Sequence, residues 1–212
     1  MNQWTLQADP VVHWVAAVVL AVLVLAAGLR APWRALLAQS ERQHALFATL
    51  LLVPLLWALA MDLGGEVRLH LLAIPAVLLI FGWELAVLIG LFSGLALLAF
   101  GQWRPEDLAF NSLLTTVIPV LVTQGLLTAA DRLRRTNLFV YLLGVGFGGG
   151  FLSMTVTLLL GGALLGWETD HAMVLLLAFP EGFLDGAVVT ALTVFYPRIM
   201  RTYDDVRYLG EP

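Results

Sequence analysis

Long apolar stretches separated by short charged ones are the feature that most constrains how this chain folds. A membrane-spanning helix needs about 20 consecutive apolar residues, and residues 11–29 supply the first such stretch without a single charge. The others lie at residues 45–61, 69–100, 110–130, 137–166 and 172–197. Hydrophobic residues make up 60% of the 212 residues and charged residues 12%, against about 45–50% and about 25% in soluble domains. We therefore expect residues 1–212 to form one transmembrane domain, an all-α polytopic helix bundle.

The positions of arginine predict how the long stretch 69–100 crosses the membrane. Arginine collects in cytoplasmic loops, and nine arginines form three clusters, at residues 30–42, 132–135 and 198–207. Two spans, broken near residues 81–84, place all three clusters on one side and leave Arg68 and Arg104 on the other. We therefore predict about seven transmembrane helices, with the N-terminus outside and the C-terminus in the cytoplasm. The third span, about residues 69–81, is short, so we expect it to be tilted, partly re-entrant or shielded by protein.

Missing residue types exclude several functions. All eleven basic residues are arginine, so the chain lacks the lysine that a Walker A phosphate loop or a retinal Schiff base requires. It contains no G-x-S-x-G or H-E-x-x-H motif, which argues against an enzyme. A net charge of −4 argues against a nucleic-acid partner. Any uphill transport by this chain would therefore draw its energy from a partner or an ion gradient.

The predicted threading collects histidine and carboxylate on the outer face. His13, His70 and His171 each lie at the outer end of a span, whereas His44 lies on the cytoplasmic side. The carboxylates predicted outside are Asp9, Asp62, Glu66, Glu106, Asp107, Glu168 and Asp170. Imidazole and carboxylate suit divalent transition metals, so these three histidines are candidate ligands of such an ion. The alternative is that each histidine only forms hydrogen bonds at a helix end.

Four polar side chains occur within or beside apolar sequence. Glu181 and Asp185 are four residues apart, so they share one helical face, where two carboxylates would share a proton or a cation. Glu181 also follows Pro180, so bonding to the backbone freed by a proline break is an equal alternative. Glu84 is expected at the cytoplasmic turn between the third and fourth spans. Asn111 and its neighbouring threonines make the fifth span polar enough to line a cavity, or to form interhelical hydrogen bonds.

Glycine and tryptophan predict two kinds of packing surface. The glycine pairs 144/148, 146/150 and 162/166 are each four residues apart, and this spacing lets two helices approach closely. Residues 30–37, with Trp33 between two arginines, indicate an amphipathic helix at the inner surface. Membrane lipid or a partner subunit would contact that helix.

Several motifs, in their order along the chain, resemble one family. They are Arg30-Ala-Pro-Trp-Arg34, His70-Leu71-Leu72, Phe81-Gly82-Trp83, Asn111-Ser-Leu-Leu, Phe139-Val140-Tyr141, Phe179-Pro180-Glu181-Gly182-Phe183 and Tyr203-Asp204-Asp205. The chain resembles the short bacterial branch related to CbiM and NikM, the cobalt/nickel substrate-capture subunits of energy-coupling-factor ABC transporters. The resemblance implies seven helices, an outward-facing metal site with a ligand histidine at His70, and separate ATPase and coupling subunits. Its cobalt and nickel members begin Met-His, whereas this chain begins Met1-Asn2.

Two functions remain open at this point. The first is a permease subunit of the bacterial inner membrane that captures a cobalt- or nickel-like ion, with energy supplied by other chains. The second is a non-transporting structural subunit packed into a larger membrane complex. The absence of lysine fits the first function, and the missing N-terminal Met-His fits the second.

Overall fold

The structure, a computed structural model, describes residues 10–62, 68–133, 137–165 and 171–209. The helices in these ranges are α1 (Pro10–Arg30), α2 (Trp33–Leu37), α3 (Ser40–Ala58), α4 (Ile74–Phe81), α5 (Trp83–Ala99), α6 (Leu108–Ser112), α7 (Ile118–Asp131), α8 (Gly148–Leu165), α9 (His171–Phe195) and α10 (Asp205–Leu209). Leu113–Val117 and Val140–Phe147 are π-helical, and Pro105–Asp107 and Pro197–Ile199 form 3-10 turns. The strands β1 (Met61–Asp62) and β2 (Arg68–Leu69) form a short antiparallel pair.

Within the described ranges, four helical stretches are long and apolar enough to cross a membrane. They are Val11–Arg30, Pro105–Asp131, Val140–Leu164 and His171–Phe195, and they agree with the sequence-predicted first, fifth, sixth and seventh spans to within a few residues at most ends. Trp83–Ala99 is a shorter apolar helix. The second predicted span, residues 45–61, corresponds to α3, which begins five residues earlier, at Ser40, and ends three residues earlier, at Ala58.

The third predicted span forms a helix of only eight residues. It was expected over residues 69–81, but α4 begins only at Ile74, because Ala73 takes a left-handed conformation with φ of 55° and Pro75 starts the helix. Eight residues span about 12 Å, less than half of the hydrocarbon core of about 30 Å. All eight are buried, so protein shields this helix. It ends at Gly82, whose φ of 91° marks the expected break before α5.

One end of the bundle is held together by the segment that follows α9. Arg201 donates its main-chain N–H to the Ile80 carbonyl at 2.8 Å, and its guanidinium pairs with Glu84 at 2.7 Å. Further contacts of this segment include those of Arg42 with the Arg198 carbonyl, of Tyr141 with Thr202, and of Arg207 with Asp131. We call this the tail end of the bundle, and it contains the start of α3, the end of α4, the start of α5 and the end of α7.

The other helix ends meet at the opposite end of the bundle. His13 near the start of α1 lies with its Nδ1 3.1 Å from the Glu106 carbonyl oxygen. Trp57 near the end of α3 stacks on Trp103, which follows α5, with ring centroids 5.8 Å apart. The start of α1, the end of α3, the end of α5 and the start of α6 therefore lie together.

Helices α8 and α9 pack closely through glycines. A Cβ placed on Gly150 would lie 2.9 Å from the Glu181 carbonyl oxygen and 3.0 Å from the Gly182 Cα. A Cβ placed on Gly182 or on Gly186 of α9 would likewise come close to atoms of Phe147. The expected 146/150 pair thus faces α9, with Gly150 the tighter of the two, whereas a Cβ on Gly144 would meet only Val140 of its own helix.

The sequence-predicted amphipathic helix over residues 30–37 is divided. Arg30 ends α1, and α2 is only five residues long. The Trp33 indole N–H donates to the Gly28 carbonyl at 2.8 Å, which folds α2 back against the end of α1.

Candidate functional site

Glu181 occupies the centre of the bundle and holds the chain that enters α4. Its side chain is fully buried. Oε2 accepts the Leu72 main-chain N–H and Oε1 accepts the Ala73 main-chain N–H, each at 2.7 Å. A helix start leaves main-chain N–H groups without helical partners, and its dipole favours a negative group there. A side chain from α9 thus caps the beginning of α4.

This arrangement clarifies the alternative interpretation of Glu181. The sequence suggested that Glu181 could bond the backbone freed by its own proline break at Pro180. Pro180 lies inside α9, which continues through it to Phe195. The backbone groups bonded by Glu181 belong to Leu72 and Ala73, just before α4. Glu181 does bind backbone N–H groups, but these groups lie more than a hundred residues away in the chain.

Asp185 lies one helical turn after Glu181, on the same face of α9, as its spacing predicts. It is buried, and its carboxyl group lies close enough to that of Glu181 for the two to interact. A Cβ on Gly150 would come within 2.6 Å of Asp185 Oδ2. The glycine surface of α8 therefore makes room for the second carboxyl group of this pair.

His70 lies in the same stretch of chain before α4, two residues before the contact with Glu181. Its ring stacks on Trp57 with centroids 4.7 Å apart, and its Nδ1 lies 3.2 Å from the Leu71 carbonyl oxygen. The Trp57 indole N–H donates to the Leu72 carbonyl at 2.9 Å. Residues 70–73 are therefore held from two sides, by Trp57 and by Glu181.

An apolar cavity of about 190 Å³ adjoins His70. It is lined by Leu56, Leu59, His70, Leu71, Met154, Leu177 and Pro180. The imidazole is the single titratable group among these lining residues. A ligand held there would combine one nitrogen donor with a hydrophobic surface, and Met154 adds a soft sulfur.

The other candidate ligands lie at separate contacts. His13 meets the Glu106 carbonyl oxygen, and His171 is exposed at the start of α9. His44 lies near the start of α3, at the tail end of the bundle. Within the part of the chain that the structure describes, no group of three or more histidine, aspartate and glutamate residues is arranged to hold a metal ion. The three-histidine set therefore stays a prediction.

Only part of the predicted outer carboxylate cluster can be placed. Asp9, Glu66, Glu168 and Asp170 lie outside the described residues, and the side chain of Asp62 is also outside the description. Glu106 pairs with Arg104 at 2.9 Å, and both side chains are more than half exposed. Asp107, the next residue, is buried.

The polar residues of the fifth span were expected either to line a cavity or to form interhelical hydrogen bonds, and the contacts differ from residue to residue. Thr123 lies 3.3 Å from the Ser153 hydroxyl on α8, which agrees with interhelical hydrogen bonding. Asn111 is fully buried, yet in the described structure neither atom of its amide group has a hydrogen-bond partner. A buried polar group left unpaired costs about 1–3 kcal/mol. Interhelical hydrogen bonding therefore does not account for Asn111.

Several residues of this region have contacts that the sequence analysis does not predict. Trp57 was read only as part of an apolar span, although it bonds Leu72 and stacks on His70. The pairs Gly182/Gly186 and Gly90/Gly94 were also missed, and both pack against neighbouring helices. Their four-residue spacing was visible in the sequence. The contact of Trp57 had no local signal, because it joins residues 15 positions apart through the tertiary fold.

Comparisons with known proteins leave the family undetermined. No protein-family model matches the chain, and neither a curated protein nor a solved structure matches it.

Proposed function

We propose that this chain is the substrate-capture subunit of an energy-coupling-factor-type transporter in the bacterial inner membrane. It takes a divalent transition-metal ion, cobalt- or nickel-like, from the outer face, and separate ATPase and coupling subunits supply the energy. The observation that carries the proposal is the broken third span, in which the half-length α4 is fully buried and Glu181 binds the main-chain N–H groups of Leu72 and Ala73 just before it. Transporters build substrate sites at such discontinuous helices, because extended backbone within the membrane is tolerated where protein or a cavity surrounds it.

The proposal includes seven membrane segments, with the N-terminus outside and the C-terminus in the cytoplasm. The contacts at the two ends of the bundle support this threading, because successive segments begin and end at alternate ends. Arg42, Arg198 and Arg201 lie at the tail end, whereas Arg104 lies at the opposite end beside Glu106. Arginine prefers the cytoplasmic side, so the tail end is cytoplasmic in this proposal.

His70 is the proposed central ligand of the captured ion. Its ring is supported by Trp57 and faces the apolar cavity beside α9. A ligand held on a fixed backbone segment loses less entropy when it binds. His13 and His171 are the further predicted ligands, and imidazole nitrogen favours nickel, cobalt, copper or zinc over magnesium.

Calorimetry of the purified full-length protein with each of those four ions tests the proposal. We expect saturable binding of at least one ion, a loss of at least tenfold in affinity for His70→Ala, and unchanged affinity for His44→Ala. The two variants each remove one imidazole, but from opposite ends of the bundle. The absence of saturable binding to all four ions at neutral pH, without chelator, would remove the metal-capture proposal.

A structural subunit is the second candidate function. It is favoured by the absence, among the described residues, of a ready group of three metal ligands. The exposed apolar face of α1, which includes Trp14, Val18 and Leu25, suits contact with lipid or with another membrane subunit. Stable co-purification with an unrelated membrane complex, together with no bound metal, would favour this candidate. Co-purification with an ATPase would favour the metal-capture subunit.

A further inference from the structure

A second polar region lies at the outer half of the fifth span, apart from the contacts of His70 and Glu181. Within the described structure, five buried side-chain atoms there have no hydrogen-bond partner. They are Asp107 Oδ2, Asn111 Nδ2, Asn111 Oδ1, Ser112 Oγ and Thr116 Oγ1. Buried polar groups in proteins are nearly always hydrogen-bonded, and within a membrane the need is stronger. A ligand that is both polar and small would satisfy them.

These side chains share a polar side of the helical segment. Residues four apart lie on nearly the same side of a helix, so Asp107, Asn111 and Thr115 follow one another, with Ser112 and Thr116 beside them. Phe110 and Leu114 pack with Met154 and Leu158.

The backbone of the same segment is also irregular. Leu113–Val117 is π-helical rather than α-helical, and single π-helical turns occur often at functional sites. The Thr115 hydroxyl donates to the Asn111 carbonyl at 2.8 Å. Thus the polar side chains and the altered helical turn coincide in one stretch of ten residues.

The stretch begins next to an exposed part of the surface, at the end of the bundle where Asp107 lies. The side chains of Arg104 and Glu106, next to Asp107, are 58% and 51% exposed. From Asp107 to Thr116 the helix advances roughly 13 Å, which is close to half the thickness of the hydrocarbon core. The polar side therefore leads from an exposed helix end toward mid-membrane.

We propose that Asp107, Asn111, Ser112 and Thr116 line a water-binding site that leads from the outer face to mid-membrane along the fifth span. The unpartnered amide of Asn111 offers both a donor and an acceptor, and water satisfies both whereas a bare metal ion satisfies only the oxygen. This site does not depend on metal capture at His70. It gives the outer half of the bundle a hydrated interior.

Single-cysteine variants test the site directly, because the chain contains no cysteine. Purified Asn111→Cys is exposed to silver ion and quenched, and the remaining free thiol is then alkylated in denaturant and measured by mass spectrometry. A thiol binds metal as the thiolate, which forms only where water reaches it. The matched controls are Ser93→Cys and Ser153→Cys, because both serines are also fully buried but have hydrogen-bond partners.

We expect silver to protect the thiol of Asn111→Cys from alkylation at least tenfold faster than it protects the thiol of either control. Ser112→Cys, a nearly isosteric change, provides the same measurement if Asn111→Cys does not fold. Protection of the tested cysteine at the same rate as the controls would overturn the proposal. The result is separate from the calorimetry with nickel, cobalt, copper and zinc, since a hydrated fifth span and a metal at His70 can each be present alone.

Discussion

The Glu181 carboxylate accepts the Leu72 main-chain N–H at 2.7 Å, although the two residues are 109 positions apart in the chain. This contact joins the middle of the last long helix to the chain that enters the half-length α4. Its second oxygen accepts the next N–H, that of Ala73. The two hydrogen bonds fix where α4 begins, and they thereby help to fix the position of His70, two residues before Leu72.

Replacing Glu181 should destabilise the fold whether or not the chain transports anything. Glu181→Ala leaves the buried Leu72 N–H and the partly buried Ala73 N–H unpaired, and the loss at a buried group costs about 1–3 kcal/mol. We expect Glu181→Gln to cost roughly half as much, because the amide retains one acceptor oxygen. Thermal unfolding in detergent measures both variants. Glu106→Ala is the control, since it removes only an exposed ion pair and should change stability by less than about 1 kcal/mol. Equal stability of Glu181→Ala and the wild type would show that this cap contributes nothing.

Substituting the close glycine of α8 should separate α8 from α9. The added methyl group of Gly150→Ala would lie 2.6 Å from Asp185 Oδ2 and 2.9 Å from the Glu181 carbonyl oxygen, closer than van der Waals contact allows. Such overpacking costs about 1–3 kcal/mol. Gly125→Ala is the matched control, because a Cβ there has nothing within 4 Å and alanine stabilises a helix by roughly 0.5–1 kcal/mol relative to glycine. Unfolding experiments should therefore give opposite signs for the two variants, and a common sign would contradict the packing described here.

The tail-end tyrosines should make stability depend on alkaline pH. Burial, together with a hydrogen bond to Asp205 and the charge of that carboxylate, raises the pKa of Tyr203 from 10 to about 12. Because the folded-state pKa exceeds the unfolded one, the unfolded chain loses the phenolic proton first. The stabilisation is complete below pH 10 and is lost between about pH 10 and 12.

Unfolding measured across this pH range, with tyrosinate absorbance followed in parallel, checks the prediction. Tyr203→Phe keeps the ring and removes the ionisation, so it should flatten the alkaline decline. A decline that is the same in Tyr203→Phe and in the wild type would assign it to other groups.

The proposed threading predicts opposite labelling of the two ends of the bundle. Glu106→Cys should react with an impermeant thiol reagent from the outer side of oriented vesicles. Ser40→Cys, at the start of α3, should react only from the inner side. Both positions are exposed, so differences in burial do not complicate the comparison. Labelling of both cysteines from one side would contradict the seven-segment threading.

Local composition and spacing were enough to predict the membrane helices and the break in the long apolar stretch. Apolar length predicted the four spanning stretches, because a helix in lipid must bury its own backbone hydrogen bonds. Gly82 and the arginine positions placed the division between α4 and α5. The shared face of Glu181 and Asp185 followed from four-residue spacing alone. These properties depend on residues close together in the chain, so periodicity and charge are sufficient to reveal them.

The tertiary structure decided what those elements contact. The helix α4 begins at Ile74 rather than at residue 69, because a carboxylate on α9 and an indole on α3 bind the main chain of Leu72 just before it. Interhelical bonding holds for Thr123 and does not hold for Asn111, although both are polar residues of one apolar span. Such partners depend on which helix faces lie against each other. That choice comes from packing of glycine and side-chain surfaces over the whole bundle, which no local pattern encodes.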